Sequence, residues 1–267
     1  KVRILTSKLT GGKLEIFFLK IIDDYTGVCL IKSSDKKNID KLYKTKDFNF
    51  RVLKKDDDSF TCKFDKNVND LINKYGILPL PPYINDDPEK RKKYNNEFSD
   101  DGFSVASPTA GLHFSNKLIS KLAKTNDFAF VNLDVNIDTF KPMKSSNLNE
   151  HNIHSETYSI TSNDFNKIMD FKNSGKPIYC VGTTSLRAIE TAYTTNNLNG
   201  TTDLFIKPDT KINIPNYLIT NFHAPMSSLL SIIENVYGDH WKELYEYALN
   251  NKLKFLSFGD AVLFEYK

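Results

Sequence analysis

The hydrophobic pattern of this chain changes once, and a proline-rich segment marks the change. Before residue 65, short apolar runs alternate with turn residues, whereas after residue 100 strand-like and helix-like segments follow one another. Between them lies Leu78-Pro79-Leu80-Pro81-Pro82-Tyr83-Ile84, which we interpret as a stiff linker rather than a recognition motif, because proline fixes φ and prevents helix. We predict a small β-barrel domain over residues 1–75 and an α/β domain over residues 76–267.

Turn residues between apolar runs predict antiparallel hairpins in the first domain. Thr10-Gly11-Gly12-Lys13 separates the runs at 2–5 and 14–19, and glycine tolerates the positive φ of a tight turn. A second hairpin is predicted between residues 51–53 and 60–64. Short strands with frequent turns are typical of a small barrel or a sandwich.

Strands and helices alternate in the second domain. We predict strands over residues 128–133, 177–181, 217–220 and 255–264, and helices over residues 115–125, 165–171, 185–193, 225–238 and 241–249. Ser115 is a suitable N-cap, and Pro225 suits a first helical turn. This alternation predicts an α/β fold with a parallel-containing sheet and flanking helices.

Charge and cysteine content restrict the partners and the compartment. The net charge of +3 allows contact with nucleic acid without requiring it. Three cysteines without metal-type spacing favour a reducing compartment, and no apolar run reaches the roughly 20 residues of a membrane span. We expect a cytoplasmic protein. Because the chain starts at Lys1 and runs straight into a strand, we also expect that an N-terminal piece is missing.

Residues with chemical potential concentrate in four short stretches. The stretches are Ser107-Pro108-Thr109-Ala110-Gly111-Leu112-His113-Phe114, His154-Ser155-Glu156, Gly182-Thr183-Thr184-Ser185-Leu186-Arg187 and Thr220-Asn221-Phe222-His223-Ala224-Pro225. Three of the five histidines and one of the four arginines lie in them. This concentration predicts one site assembled from four loops.

The stretch at Gly182 predicts an anion-binding turn. Gly182-Thr183-Thr184 lies between a strand and a helix, where the first helical amides lack internal partners and the helix dipole attracts anions. Arg187 follows one turn later and could hold a carboxylate or a phosphate through two parallel hydrogen bonds. From spacing alone, a capped helix with a surface arginine is an equal alternative.

Three histidines are candidates for proton transfer. His113 ends a loop of small residues, and an imidazole titrates near neutrality. His154 and Glu156 would share one face of a strand, which suits an acid/base pair. His223 follows a strand and precedes a helix, at the end of the sheet where open α/β folds bind ligands. Taken singly, His113 is more simply a satisfied histidine under its loop, and residues 154–156 a surface ion pair.

Other site chemistries lack support in the sequence. The histidines and acids have no metal-ligand spacing, so we expect no metal. A Walker-type Gly-Lys motif, a paired-cysteine motif and a Gly-x-Ser-x-Gly elbow are all missing from the sequence.

Taken in order, the motifs resemble the S-adenosylmethionine:tRNA ribosyltransferase-isomerase family of queuosine biosynthesis. The segments that carry the resemblance are Leu78-Pro79-Leu80-Pro81-Pro82-Tyr83-Ile84, Pro108-Thr109-Ala110-Gly111-Leu112-His113-Phe114, His154-Ser155-Glu156, Gly182-Thr183-Thr184-Ser185-Leu186-Arg187-Ala188, Thr202-Asp203-Leu204-Phe205-Ile206, Ile219-Thr220-Asn221-Phe222-His223 and Gly259-Asp260-Ala261. They cover nearly the whole chain and are most specific after residue 76. The resemblance implies an α/β domain with a small β-barrel inserted near its N-terminal end, and a first family segment that this chain lacks.

The resemblance also implies the reaction and its participants. Family members move the ribosyl part of S-adenosylmethionine onto an aminomethyl-deazaguanine at the tRNA wobble position, and they release adenine and methionine. S-adenosylmethionine is then a consumed co-substrate, with no other cofactor. The expected partner is the anticodon arm of tRNA, without membrane or metal, and the expected state is a monomer.

Site roles follow from the resemblance as hypotheses. The catalytic candidates are His113, His154, Glu156 and His223, without a decision on which is base and which is acid. The substrate-binding candidates are Thr109, Ala110, Gly111, Gly182, Thr183, Thr184, Arg187, Asp203 and Asn221. Asp203 would bind ribose hydroxyls or the ammonium group.

Departures from the family pattern keep two alternatives open. Asp134 stands where a histidine is usual, and Asn136 and Asp138 replace glycines. Further departures are Thr157, Asp209, Thr210, Ala224 and Met226. The alternatives are a diverged, non-catalytic paralogue that binds a nucleoside or RNA, and a nucleoside hydrolase on the same fold.

Overall fold

The computed structural model divides the chain into two compact units, Lys1–Asn85 and Asp86–Lys267. It describes residues 2–35, 37–81, 83–85, 87–99, 104, 106–135 and 155–266. The first unit extends beyond the boundary at residue 75 that the sequence favours, because the short strand Gly76–Ile77 pairs with the first strand of the chain.

The first unit is built on one seven-stranded antiparallel sheet. Its strands are β1 (Val2–Ser7), β2 (Lys13–Asp23), β3 (Thr26–Lys32), β4 (Leu42–Lys44), β5 (Asn49–Asp56), β6 (Ser59–Phe64) and β7 (Gly76–Ile77), in the spatial order β4-β5-β6-β3-β2-β1-β7. Both predicted hairpins are confirmed, β1 with β2 and β5 with β6. The turn after β1 needs glycine, because Gly11 has φ +89°.

The sheet curls until distant strands meet. Leu9 N donates to Lys44 O at 3.0 Å, and Lys46 N donates to Ser7 O at 3.3 Å, so the end of β1 approaches the end of β4. The concave side encloses an aromatic core in which the ring centroids of Phe50 and Phe64 are 5.3 Å apart. Helix α1 (Val68–Tyr75), which the sequence pattern did not predict, packs Val68 and Leu71 onto this core.

The second unit contains two small sheets and six helices among its described residues. Its strands are β8 (Val131–Asp134), β9 (Glu156–Ile160), β10 (Tyr179–Val181), β11 (Asn199–Thr202), β12 (Tyr217–Asn221) and β13 (Ala261–Glu265). Its helices are α2 (Pro88–Tyr94), α3 (Asn116–Leu122), α4 (Ser162–Asn173), α5 (Thr183–Thr195), α6 (Ser228–Tyr237) and α7 (Trp241–Asn250), with a 3₁₀ turn at Thr109–His113. The strand orders are β10-β12-β13 and β11-β9-β8.

Helix α5 is packed between these two sheets. Leu186 belongs to the apolar cluster of β10, β12 and α6, while Ala188, Ile189 and Ala192 belong to the cluster of β9. Both faces of α5 are therefore covered, and even its polar side chains Arg187 and Glu190 are buried.

The prediction of a mixed α/β fold is confirmed. The predicted parallel-containing main sheet and the small inserted β-barrel are not confirmed. The largest sheet is antiparallel throughout. Within the described ranges, parallel pairing is limited to β10 with β12, and β13 joins that pair in the antiparallel sense.

Helix α6 and strand β13 begin later than expected because turns replace their first residues. Helix α6 starts at Ser228 rather than Pro225, since Met226 has φ +55°, which a right-handed helix does not allow. Strand β13 starts at Ala261, because Lys254 and Asp260 close a loop through a 2.8 Å bond from Asp260 N to Lys254 O. The predicted N-cap Ser115 is confirmed and accepts from Leu118 N.

Candidate active site

The candidate site lies at one edge of the β10-β12-β13 sheet. Because β10 and β12 are parallel, their carboxyl ends lie side by side, with Val181 paired to Ile219. Gly182 follows β10 and donates from its amide to Ile219 O at 2.8 Å. Asn221 is the last residue of β12. The stretches at Gly182 and at Asn221 therefore meet at this edge.

The 3₁₀ turn Thr109–His113 brings a third stretch to the same edge. Thr109 Oγ1 donates to Asn221 Oδ1 at 2.9 Å, and Asn221 Nδ2 lies 3.1 Å from His113 Nε2. Asn221 is only 2% exposed, whereas His113 is exposed. The buried side-chain amide of Asn221 on β12 thus contacts the exposed imidazole of His113.

The turn at Gly182 has a backbone that a side chain would strain. Gly182 has φ +89° and ψ 148°, a region that only glycine occupies readily. A Cβ built on it would lie 3.8 Å from Ala110 Cβ, so the 3₁₀ turn passes closely over it. Gly182 is the N-cap of α5 and offers no side chain to the first helical amides. The positive end of the helix dipole therefore points at the site edge.

Arg187 is buried one turn into α5 rather than on the surface. Its Nη1 forms an ion pair with Glu156 Oε2, and its Nε donates to Leu204 O at 2.9 Å. Arg187 is 7% exposed and Glu156, the first residue of β9, is 1% exposed. The buried Nη2 has no hydrogen-bond partner within the described part of the chain. One nitrogen of the guanidinium thus retains its capacity to bind a further acceptor.

Of the other residues that the sequence singles out, only some are described by the structure. His154, Asn136 and Asp138 lie outside the described residues. Asp203 is exposed and directly precedes Leu204, whose carbonyl accepts from Arg187. The predicted roles of all site residues stay predictions.

His223 is buried and held from two sides. Its backbone N donates to Tyr245 Oη at 3.0 Å, and its Nε2 lies 3.1 Å from Thr220 Oγ1. Burial lowers the pKa of His223 to about 4, because the interior disfavours the charged imidazolium. The ring is therefore neutral at physiological pH and fixes the chain after β12.

The sequence pattern did not indicate three residues that support the site through hydrogen bonds. Asn96 Nδ2 donates to Pro108 O at 2.7 Å and holds the start of the 3₁₀ turn. Glu190 accepts from the backbone amides of Asn213 and Ile214 at 3.0 and 2.7 Å. Tyr245 fixes His223. A single acid in the otherwise uncharged run 188–192 was a signal for a buried, hydrogen-bonded carboxylate.

The ranges that the structure describes contain neither a candidate metal site nor a helix that could span a membrane. In those ranges, no group of three or more His, Cys, Asp or Glu side chains could hold a metal ion. Nor does any described helix combine the length and the apolar character needed to cross a membrane.

Known proteins match this chain over nearly its whole length. The family described as "Queuosine biosynthesis protein" matches residues 1–264. A relative from Vesicomyosocius okutanii subsp. Calyptogena okutanii (strain HA), named S-adenosylmethionine:tRNA ribosyltransferase-isomerase, is 37% identical over 98% of this chain and 80% of its own length. The chain belongs to this family.

Further members of the family extend the match. A protein of the same name from Legionella pneumophila (strain Lens) is 35% identical over 98% of this chain and 80% of its own length. A crystal structure of the S-adenosylmethionine tRNA ribosyltransferase from Thermotoga maritima is 26% identical, covers 98% of this chain and 77% of that one, and superposes with a TM-score of 0.48. The resemblance that the sequence motifs indicated is confirmed, and with it the assignment to a family of enzymes.

Proposed function

We propose that this chain transfers the ribosyl moiety of S-adenosylmethionine to 7-aminomethyl-7-deazaguanine at the tRNA wobble position, giving epoxyqueuosine and releasing adenine and methionine. The observation that carries the proposal is the Thr109–Asn221–His113 hydrogen-bond chain, which joins two family segments that are 108 residues apart at one strand edge. Family membership supports the reaction, and this hydrogen-bond chain supports the strand edge as its location.

His113 transfers a proton in this proposal. The reaction needs a base that removes a proton beside the sulfonium and an acid that assists the departing adenine. His113 is exposed at the site edge, whereas His223 is buried and neutral with a pKa of about 4. We therefore assign His223 to holding the chain after β12. His154 remains the candidate for the second proton-transfer group.

The turn at Gly182 and Arg187 bind the anionic part of a substrate. The first amides of α5 and the unbonded Arg187 Nη2 would hold the methionine carboxylate or an RNA phosphate. Glu156 holds the guanidinium in place rather than exchanging protons, because its carboxylate is paired with Arg187.

The other candidates complete the proposed substrate site. The backbone of the 3₁₀ turn at Thr109, Ala110 and Gly111 contacts the substrate, and exposed Asp203 binds ribose hydroxyls or the ammonium group. No cofactor besides the consumed S-adenosylmethionine is needed. The partner is the anticodon arm of tRNA, and the protein works as a cytoplasmic monomer whose curled antiparallel sheet is the inserted barrel of the family.

The proposal is tested by product release. The protein is incubated with S-adenosylmethionine, with and without tRNA that carries the aminomethyl-deazaguanine, and adenine and methionine are measured by chromatography. We expect both products in equal amounts, only with the acceptor tRNA, and their loss in His113→Ala. The matched control is His240→Ala, which removes an exposed histidine paired with Glu243. Adenine released without tRNA would indicate a hydrolase, and no release from folded protein a diverged binding paralogue.

A further inference from the structure

We propose that an unpaired base of the anticodon loop stacks on a surface of four phenylalanines beside His113. This inference rests on the proposed function and adds to it a binding surface for the RNA. We call it the phenylalanine surface, and it consists of Phe98, Phe114, Phe128 and Phe130.

The four rings form a continuous series that starts at the site. Phe114 directly follows His113, and its amide donates to Gly111 O at 3.0 Å. The ring centroids of Phe98 and Phe114 are 5.8 Å apart, edge to face. Phe98 then lies 6.3 Å from Phe130. The series thus leads away from the exposed histidine without a gap.

Phe130 leaves much of its ring in solvent. It is 56% exposed, although its ring is stacked with Phe128 at a centroid distance of 6.4 Å and an interplanar angle of 19°. Exposing an apolar ring to water is unfavourable, and an aromatic face favours another flat π-system. Every nucleobase offers such a face, and base stacking on aromatic side chains is a common means of holding single-stranded RNA.

Hydrogen bonds hold the backbone at two of the four rings. Asn96 Oδ1 accepts from Phe98 N at 3.0 Å, which sets the backbone at the first ring. A Cβ on Gly111 would lie 2.9 Å from Phe98 Cδ2, so the glycine makes room for that ring. Lys167 Nζ donates to Phe128 O at 2.6 Å. A preformed platform costs little ordering entropy on binding.

Two lysine-containing helices lie close in the sequence to the phenylalanine surface: α2 before Phe98 and α3 after Phe114. Helix α3 begins two residues after Phe114 and carries Lys117 and Lys121 four residues apart on one face, and Lys124 follows in the next turn. None of these three forms an ion pair with a described residue. Helix α2, with the sequence PEKRKKY, contacts the Thr109–His113 turn. Lysines close in the chain to a partly exposed series of rings match the phosphates and bases of single-stranded RNA.

The anticodon loop suits this surface better than a protein segment does. The target base of the proposed reaction lies in a loop, so its neighbours are unpaired and can be splayed out. A ring series that begins next to His113 would hold a base adjacent to the reacting one. We therefore commit to an RNA base as the occupant.

Binding of an anticodon stem-loop RNA tests the inference without catalysis. Fluorescence anisotropy is measured at one fixed salt concentration and without S-adenosylmethionine. We expect Phe130→Ala to weaken binding about tenfold, in line with the loss of one stacked base. Phe130→Trp, which keeps a π-face, should bind like the unaltered protein, and Phe130→Leu, which keeps only apolar area, should bind like Phe130→Ala.

A matched control and the opposing outcomes make the test decisive. Tyr179→Ala removes a comparably exposed residue, 50% in solvent, whose ring stacks on Tyr217 at the start of β10. It should leave RNA affinity unchanged. Unchanged affinity in Phe130→Ala, or normal affinity in Phe130→Leu, would overturn stacking, as would an unaltered protein that does not bind the RNA. If the RNA binds as expected but no adenine is released, the proposed function fails while the stacking surface stands.

Discussion

Asn221 Nδ2 lies 3.1 Å from His113 Nε2, and the oxygen of the same amide accepts from Thr109 across 2.9 Å. Because the hydroxyl of Thr109 donates to Asn221 Oδ1, the amino group of Asn221 is the group that contacts the imidazole of His113. Nε2 of His113 must then accept, and the proton of the neutral ring resides on Nδ1. A buried strand residue thus selects the tautomer of the exposed candidate catalyst.

Changing the amide to a carboxylate should move that proton. In Asn221→Asp both oxygens accept, so the neutral His113 ring is expected to switch to the Nε2–H tautomer. The ¹⁵N chemical shifts of the ring nitrogens, measured at a pH where the imidazole is neutral, report the tautomer directly. Thr109→Ser keeps a hydroxyl donor and should leave the shifts unchanged. An Nδ1–H signal that persists in Asn221→Asp would refute the tautomer assignment.

Breaking the Arg187–Glu156 ion pair should greatly lower the free energy of unfolding. Removing the carboxylate in Glu156→Ala leaves a guanidinium that is 7% exposed without its partner, which costs about 3–5 kcal/mol of unfolding free energy. Chemical denaturation measures this loss. The control is Asp56→Ala, which breaks the exposed 2.7 Å pair with Lys54 and should change stability by less than about 1 kcal/mol. Similar effects of both substitutions would show that the Arg187–Glu156 pair is not desolvated.

His223 should make the fold less stable in mild acid. Its pKa is about 4 in the folded protein against an ordinary 6.5, so the unfolded chain takes up the proton first as the pH falls. Its contribution is therefore complete above pH 6.5, falls between pH 6.5 and 4, and amounts to on the order of 3 kcal/mol. The unfolding free energy of His223→Gln should lack this part of the pH dependence. A His223 ring resonance that titrates near pH 6.5 would contradict the account.

Gly182 should not tolerate a side chain. Its φ of +89° with ψ 148° strains any other residue by about 1–3 kcal/mol, so Gly182→Ala should lose that much stability. Gly200→Ala is the matched control, because a Cβ there meets its nearest atom at an ordinary 3.6 Å and no positive φ is involved. Equal stability of the two variants, measured by thermal unfolding, would mean that the turn at Gly182 relaxes freely.

Local sequence signals predicted much of this fold. The Gly11-Gly12 turn gave the first hairpin, Ser115 gave a helix start, and the strand–turn–helix at Gly182 lies where the spacing placed it. These features depend on a few neighbouring residues, because positive φ and helix capping are local properties. The curl that brings Leu9 to Lys44 depends on contacts between distant strands and has no such local signal.

The site residues also divide into those with a local sequence signal and those that depend on contacts between distant segments. The sequence placed the stretches of His113, Gly182 and Asn221 in one site, and the structure brings these three to one strand edge. It could not reveal that Arg187 is buried, because the covering of α5 on both faces is set by two separate sheets. Nor could it reveal the phenylalanine surface, whose rings come from three separate segments of the chain.

The most direct test of the account is the mass of the acceptor tRNA after reaction. tRNA carrying the aminomethyl-deazaguanine is incubated with the protein and S-adenosylmethionine, digested to nucleosides and analysed by mass spectrometry. We predict that the modified nucleoside gains the mass of the added epoxycyclopentane unit, and that His113→Ala protein leaves it unchanged. A nucleoside of unaltered mass, from protein shown to be folded and to bind the RNA, would contradict the proposed transfer.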